Sequence, residues 1–201
     1  MELIIGSSNQ HKINEIAAIF NDVGIKILSL KDFPHVPEIK ETENDFMANA
    51  ELKAKTLAAL FNKPVLSDDS GLCVKMLDDM PGIYSARYSG LGDAANNQKI
   101  LDSMKHHEDR SAYFVCALAL AFPDGKVFRY MAHFKGLIAT EPRGRQGFGY
   151  DPIFYVESLK KTVGELDPQI KNQISHRAKA LKIMKENIDE IINYWRYSWQ
   201  K

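Results

Sequence analysis

Two adjacent carboxylates, Asp68 and Asp69, are the residues of this sequence best suited to chemistry. They lie in the segment SDDSG at 67–71, between the apolar residues 64–66 and 72–74. Ser, Asp and Gly favour turns, so the pattern predicts a turn at 67–71 between two short apolar segments. Two like charges this close destabilise each other, and a cation such as Mg²⁺ or Mn²⁺ relieves the repulsion. The alternative is an exposed acidic turn that binds nothing.

Two further carboxylates, Glu38 and Glu41, precede this segment in a loop that Pro37 interrupts. Together with Asp68 and Asp69 they could hold Mg²⁺ on a phosphate, because that ion prefers hard oxygen ligands. The alternative for either glutamate is solvation at the surface, which is the common fate of this residue type.

A candidate anion site lies where a predicted strand at residues 3–5 turns into a predicted helix. The turn is made of polar residues: Ser7, Ser8, Asn9, Gln10, His11 and Lys12. Backbone N–H groups at a helix start attract anions, and Lys12 adds a positive charge. The spacing is not that of a P-loop. The alternative is simple capping of the helix, with Lys12 on a solvated face.

A glycine-rich segment, GFGYDP at 147–152, is a candidate base-binding loop. Phe148 stands between two glycines, which weaken a strand, so its ring is better suited to stacking on a flat base than to a core. Asp151 could accept hydrogen bonds from a base or a ribose. The alternative is a glycine-rich turn anchored by a buried Phe148.

Donor groups also gather near Ser175, His176 and Arg177 at a predicted helix start, with Lys171 just upstream. These donors could meet the carbonyl oxygens of a ligand, or they could be a cap and surface charge. The loop PGIYSARYSG at 81–90 is rich in Gly, Tyr and Arg, a composition that more often binds than merely connects.

Apolar periodicity places these segments on a mixed framework. The chain begins strand, helix, strand, with the first helix at 10–21 and a second helix running to about Asn62, capped by Asn44 or Thr42. A long hairpin follows at 112–139, and Ser175 caps a last amphipathic helix. We therefore predict an α/β fold with a mixed sheet. The aromatic end, 194–199, packs on the body, packs on a partner subunit or frays.

Composition excludes several classes of protein. Lys+Arg and Asp+Glu number 26 each among 201 residues, so no global field favours nucleic acid or an anionic membrane. The two cysteines, Cys73 and Cys116, lie in apolar segments, which predicts reduced thiols in a cytoplasmic protein and rules out a cysteine-based zinc site. The apolar run 112–122 is too short to span a bilayer.

Four segments in this order resemble the inosine triphosphate pyrophosphatase family: SSNQHK at 7–12, DDSG with PGIYSARYSG at 68–90, GFGYDPIF at 147–154 and SHRAKAL at 175–181. The resemblance runs from Leu3 to about Leu181. Members are cytosolic enzymes that hydrolyse deaminated purine nucleoside triphosphates to monophosphate and pyrophosphate. The resemblance implies a long mixed β-sheet with helices packed around it, two lobes enclosing a central substrate cleft, one domain over 1–201 and a homodimer.

The resemblance also implies a role for individual residues. Residues 7–12 match the triphosphate-binding turn, and Glu41, Asp69 and the neighbouring Asp68 match the magnesium-associated acids, with Asp69 as proton acceptor. Further matches are to a substrate contact and to the base and sugar site: Ser70, Phe148, Gly149, Tyr150, Asp151, Lys171, His176 and Arg177. Two positions depart from the family pattern, because Ser8 and Ala48 stand where glycine and glutamate are usual.

The sequence thus predicts a Mg²⁺-dependent nucleoside triphosphate pyrophosphatase, with Mn²⁺ as a possible substitute. The resemblance implies that its substrates are ITP, dITP, XTP and dXTP, and that Asp69 orients or deprotonates the attacking water. Two alternatives stay open: a pyrophosphatase for other modified nucleotides such as pyrimidines, and a regulatory module that binds nucleotides without turnover.

Overall fold

The computed structural model describes residues 1–20 and 24–197, without the side chains of 18–20. The strands are β1 (Glu2–Ile5), β2 (Lys26–Ser29), β3 (Val65–Val74), β4 (Ser111–Ala121), β5 (Val127–Ile138), β6 (Phe154–Val156) and β7 (Lys161–Thr162). The helices are α1 (Gln10–Phe20), α2 (Phe46–Phe61), α3 (Asp93–Ser103), α4 (Pro168–Ile174), α5 (His176–Glu186) and α6 (Ile188–Tyr197).

The strands form a seven-stranded sheet in the order β2-β1-β3-β4-β5-β6-β7. β1 pairs in parallel with both β2 and β3, whereas β6 pairs antiparallel with β5 and β7. This arrangement confirms the predicted mixed sheet. The parallel pairing of β1 and β2 also follows from their connection, because the helix α1 joins them as a crossover.

The chain forms two compact units. The first contains Met1–Asp69, Cys116–Ala132 and Lys179–Lys201, and the second contains Ser70–Val115 and His133–Ala178. The covalent boundary between Asp69 and Ser70 falls within β3, in the middle of the acidic segment.

The first unit buries both faces of its part of β4. Leu118 and Leu120 belong to an apolar cluster with residues of α1, α5 and α6, such as Ile16, Leu181 and Trp195. The intervening alanines Ala117, Ala119 and Ala121 belong to a second cluster with the small residues Ala50, Ala54 and Ala58 of α2. Alternate residues of a strand face opposite sides, so the alanine face accommodates a closely packed helix.

The second unit has its own core, to which β3, α3 and the glycine-rich loop all contribute. Leu72, Ile100, Phe114, Tyr150 and Phe154 are buried members of one cluster. The rings of Phe114 and Phe154 lie 4.5 Å apart, tilted by 41°. The loop that carries the candidate base site is therefore anchored in this core by the residue next to Gly149.

The acidic segment 67–71 differs from its prediction, because β3 runs without a turn from Val65 to Val74. Asp68 and Asp69 are 2% and 5% exposed. The strand is buried along almost its whole length. Strand pairing and burial therefore outweigh the local preference of Ser, Asp and Gly for a turn. The interpretation of 67–71 as an exposed acidic turn is therefore wrong, and the two buried carboxylates need partners inside the protein.

Smaller differences concern helix ends. Asp45 caps α2, accepting a hydrogen bond from the Ala48 N–H, instead of Asn44 or Thr42. The predicted last helix is two helices, which divide at Asn187. Tyr194 and Trp195 pack against the ring of Phe122, so this part of the aromatic end lies on the body. Residues 198 and 199, and residue 21 at the predicted end of α1, fall outside the described residues.

Candidate active site

The two adjacent carboxylates of β3 have different partners in the first unit. Asp68 Oδ1 accepts a hydrogen bond from the Lys12 ammonium, and its Oδ2 accepts one from the Cys116 thiol at 3.2 Å. Asp69 Oδ1 lies 3.7 Å from the ammonium of Lys53. Successive side chains of a strand point to opposite faces, so the Asp68 carboxylate is directed to Lys12 and the Asp69 carboxylate to Lys53.

Lys53 gathers three of the oxygens around the acidic segment. Its Nζ lies 2.8 Å from Glu41 Oε1 and 2.9 Å from the main-chain oxygen of Asp68, besides the contact with Asp69. Sequence reasoning missed this residue. The signal was present, because Lys53 stands between Ala50 and Leu57 on the apolar face of α2, where a lysine needs a buried anion.

The same contact tests whether a metal ion fits. Glu41 and Asp69 flank one ammonium group, so two hard carboxylate oxygens converge on one cation position. Within the described parts of the chain, no group of three or more His, Cys, Asp or Glu side chains has metal-binding geometry. Two carboxylates nevertheless fit Mg²⁺, which keeps several waters and takes its remaining ligands from substrate phosphates. Asp68, predicted as a third ligand, is engaged with Lys12 and Cys116.

Burial makes Asp69 a weaker acid than an ordinary aspartate. Loss of solvent raises the pKa of Asp69 to about 6, and the nearby Glu41 and Asp68 carboxylates push it in the same direction. The ammonium groups of Lys53 and Lys12 oppose the increase. A carboxylate with a pKa close to neutrality can take a proton from water and release it again, as a general base must.

We expect this carboxylate to cost folding stability. Below about pH 4 Asp69 is protonated in the folded and the unfolded chain, and as the pH rises towards about 6 the unfolded chain loses the proton first, so stability falls. Above about pH 6 the whole loss of folding stability is present. Asp69→Asn cannot ionise and should be more stable than the parent by ~1–3 kcal/mol above pH 6, and equal to it near pH 4. Urea unfolding in EDTA at several pH values measures this; equal stability at pH 8 would contradict it.

The turn at 7–12 caps its helix and also delivers Lys12 to the acidic segment. Asn9 Oδ1 accepts hydrogen bonds from the N–H groups of His11 and Lys12 at 2.9 and 3.3 Å, and Ser7 Oγ accepts one from Asn9 N–H at 3.2 Å. The Gln10 side chain binds Asn14 and Lys31. The capping alternative is therefore present, but Lys12 reaches Asp68 and does not lie on a solvated face.

In the second unit, the loop at 147–151 is held by a buried ion pair. Asp151 Oδ2 accepts hydrogen bonds from Lys171 Nζ at 2.7 Å and from Phe148 N–H at 2.9 Å. The ammonium of Lys171 also lies 4.4 Å from the centre of the Phe148 ring. Gly147 has φ +78, and a Cβ there would lie 2.0 Å from Asp151 Oδ2, so glycine is required. Phe148 itself is half-buried.

The donor side chains at the start of α5 are buried, so the alternative interpretation of them as surface charge is wrong. Arg177 is 1% exposed and donates through Nη2 to Ser70 Oγ at 2.9 Å. His176 is 6% exposed, and its ring stacks on that of Phe114 at 4.7 Å and 14°. Ser175 Oγ accepts from the Ala178 N–H, as predicted for a cap. A buried guanidinium with several donors suits recognition of ligand oxygens.

Comparison with known proteins gives the family. The model of the Ham1 family matches residues 3–187. The chain belongs to the Ham1 family. This confirms the resemblance stated from the four segments. Among the residues that the structure describes, no helix has both the length and the apolar character needed to cross a membrane.

Relatives within the Ham1 family are similar over nearly all of their length. The chain is 48% identical to the dITP/XTP pyrophosphatase of Acholeplasma laidlawii, with all of both chains covered. It is 43% identical to that of Geobacter sulfurreducens, over 92% of this chain and 96% of the relative. The structure of a HAM1 protein from Coxiella burnetii superposes with a TM-score of 0.88 at 40% identity, covering 94% of this chain and 99% of that one.

Proposed function

We propose that this Ham1-family chain hydrolyses deaminated purine nucleoside triphosphates, ITP, dITP, XTP and dXTP, to monophosphate and pyrophosphate, and so removes them from the nucleotide pool. The observation that carries the proposal is Asp69, a buried carboxylate with a pKa of about 6 beside Lys53 and Glu41. Binding alone does not require such a group. The similarity to dITP/XTP pyrophosphatases supports the choice of substrate.

In this proposal Asp69 orients and deprotonates the water that attacks the α-phosphorus. Glu41 and Asp69, with Asp68 as a further predicted ligand, would hold Mg²⁺, or Mn²⁺ in its place. The ion supplies neutralisation of charge on the phosphate oxygens when it is bound. Lys53 keeps the two carboxylates from repelling each other, as its contacts at 2.8 and 3.7 Å indicate.

The turn at 7–12 takes the triphosphate in this account. Lys12 would exchange part of its contact with Asp68 for the departing pyrophosphate, whose growing charge a nearby ammonium stabilises. The hydroxyls of Ser7 and Ser8, the amide groups of Asn9 and Gln10 and the ring of His11 complete the predicted set. Phosphates carry no base identity, so this turn contributes affinity and no choice of base.

The second group of residues reads the base. Phe148 stacks on the purine. Asp151 holds the backbone N–H of Phe148, and the Lys171 ammonium lies over the Phe148 ring. Hypoxanthine and xanthine carry a 6-oxo acceptor where adenine carries an amino donor, and the donors of Arg177 and His176 suit the acceptor. Ser70 and Gly149 complete the predicted contacts. The Tyr150 hydroxyl donates to the Ser85 carbonyl at 2.8 Å, so Tyr150 supports the loop from the core.

We further propose that residues 1–201 act as one catalytic domain, in a cytoplasmic homodimer. The relative from Acholeplasma laidlawii aligns over the whole chain, which supports a single domain. Cys73 and Cys116 are both buried and form no disulfide among the described residues, as expected in a reducing compartment. Size-exclusion chromatography with light scattering tests the dimer.

A substrate panel tests the proposed function. We expect kcat/KM with Mg²⁺ to be roughly ten- to hundredfold higher for ITP and XTP than for ATP, since each buried donor or acceptor left unpaired costs ~1–3 kcal/mol. GTP shares the 6-oxo group, so its rejection depends on its 2-amino group. EDTA should abolish turnover and Mg²⁺ should restore it.

Three outcomes of this panel would contradict the proposal. Preference for CTP or UTP would make the chain a pyrimidine pyrophosphatase. Tight binding without turnover would make it a regulatory module. Full activity in EDTA would remove the metal ion from the account.

A further inference from the structure

Helix α3 holds one residue of the base-binding loop by both of its backbone groups. The Gly149 N–H donates to Asp93 Oδ2 at 2.8 Å, and the Gly149 carbonyl accepts from Asn97 Nδ2 at 3.0 Å. Asp93 and Asn97 are one helical turn apart, so they lie on the same face of α3. Gly149 directly follows Phe148, and its φ of +62 is a conformation that glycine adopts most readily.

The neighbouring residue of α3 fixes the loop at 81–90. Asn96 Oδ1 accepts from both the N–H and the hydroxyl of Ser89 at 2.7 Å, and its Nδ2 donates to the Ser85 carbonyl at 3.3 Å. That carbonyl also accepts from the Tyr150 hydroxyl. The Ser85 hydroxyl in turn binds the Leu72 N–H on β3 at 2.9 Å. The two loops that stood out in the sequence are therefore joined through adjacent asparagines of one short helix.

The buried side chain of Asn97 is expected to reduce folding stability. It is 6% exposed, and its Oδ1 is buried without a hydrogen-bond partner among the described residues. An apolar residue would avoid the cost of an unsatisfied acceptor, which is ~1–3 kcal/mol. An apolar residue could not donate the hydrogen bond from Asn97 Nδ2 to the Gly149 carbonyl. This hydrogen bond to the loop best explains why an asparagine occupies the position.

We propose that Asp93 and Asn97 are positioning residues that set the place of the Phe148 ring and thereby the affinity for a purine. Neither contacts the substrate. The inference rests on the proposed stacking role of Phe148. Gly147 and Gly149, on the two sides of Phe148, both have positive φ, and Asp151 accepts a hydrogen bond from the Phe148 N–H. The clamp from α3 holds the loop at Gly149, so the ring is fixed before the base arrives.

A double-mutant cycle on KM tests the clamp. Asp93→Ala and Asn97→Ala should each raise KM for ITP roughly three- to tenfold, the typical worth of one hydrogen bond, with little change in kcat. Asp93→Asn keeps a carbonyl oxygen as acceptor and should recover most of the loss. In a Phe148→Ala background, Asp93→Ala should change KM less than about twofold, because the ring that it positions is gone.

The matched control is Asp102→Ala, an aspartate of the same helix that binds Gln98 and not the loop. It should leave KM unchanged. If Asp93→Ala raises KM equally with and without the Phe148 ring, or lowers kcat in place of raising KM, the clamp is overturned. If Phe148→Ala itself leaves KM unchanged, the proposed stacking role fails first, which separates the two failures. Thermal melts confirm that each variant is folded.

Discussion

Asp69→Asn is expected to reduce kcat for ITP by at least ~10²–10⁴-fold, the usual loss when a general base is removed. Asparagine matches aspartate in shape but cannot accept a proton from water. The loss should exceed this range if the metal ion is also misplaced. Steady-state kinetics with saturating Mg²⁺ and ITP measures it, with pyrophosphate as the product followed.

Two observations separate lost chemistry from lost folding. The Asp69→Asn protein should be folded and, above pH 6, more stable than the parent, since it lacks the buried charge. Glu51→Gln is the matched control, because Glu51 is an acid of the first unit that pairs with Arg129 at 2.6 Å and with Lys55 at 2.5 Å. Its activity should be unchanged. Retention of more than about a tenth of kcat by Asp69→Asn, well short of a general-base loss, would remove Asp69 from that role.

Arg177→Ala should reduce the preference for ITP over ATP, expressed as the ratio of kcat/KM, roughly ten- to hundredfold. The guanidinium is buried and charged, and hydrogen bonds to charged groups contribute ~1.5–3 kcal/mol. It donates to Ser70 and, in this account, to the 6-oxo group of the base. ATP has no oxygen at that position, so it loses less.

Phe148→Ala is the comparison for this variant. Stacking on an aromatic ring does not distinguish the purines, so KM for ITP and for ATP should rise by similar factors. Because removal of Arg177 leaves a buried cavity, Arg177→Lys provides a second test in which the charge stays and the planar fork is lost. An ITP-to-ATP ratio that is unchanged in both Arg177 variants would show that this residue does not read the base.

The elements of the fold were predictable where local patterns decide them. Strand, helix and strand at the N-terminus and the long hairpin were found from periodicity, and Ser175 was found as a cap. The segment 67–71 was not, because its Ser, Asp and Gly residues favour a turn, whereas pairing and burial within β3 favour a strand. Residues of this composition inside a buried strand are a conflict between local and tertiary preference, and such conflicts are typical of functional sites.

The candidate site was predictable as a set of residues and not as a set of contacts. The sequence indicated Asp68 and Asp69 as an acidic pair. Their different partners, Lys12 and Lys53, depend on the two faces of β3, which the sequence pattern did not predict as a strand at these residues. Lys53 was not predicted, although a lysine on the apolar face of α2 indicates a buried anion beside it. The burial of Lys171 and Arg177 depends on Asp151 and Ser70, which lie far from them in sequence, and short-range patterns do not report such pairs.

The central claim is that water attacks the α-phosphorus of a deaminated purine nucleoside triphosphate. Hydrolysis of ITP with Mg²⁺ in heavy-oxygen water, with the products analysed by mass spectrometry, tests it most directly. The account predicts one heavy oxygen in the monophosphate, IMP, and none in the pyrophosphate released. Heavy oxygen in pyrophosphate with unlabelled IMP, or release of orthophosphate in its place, would contradict it.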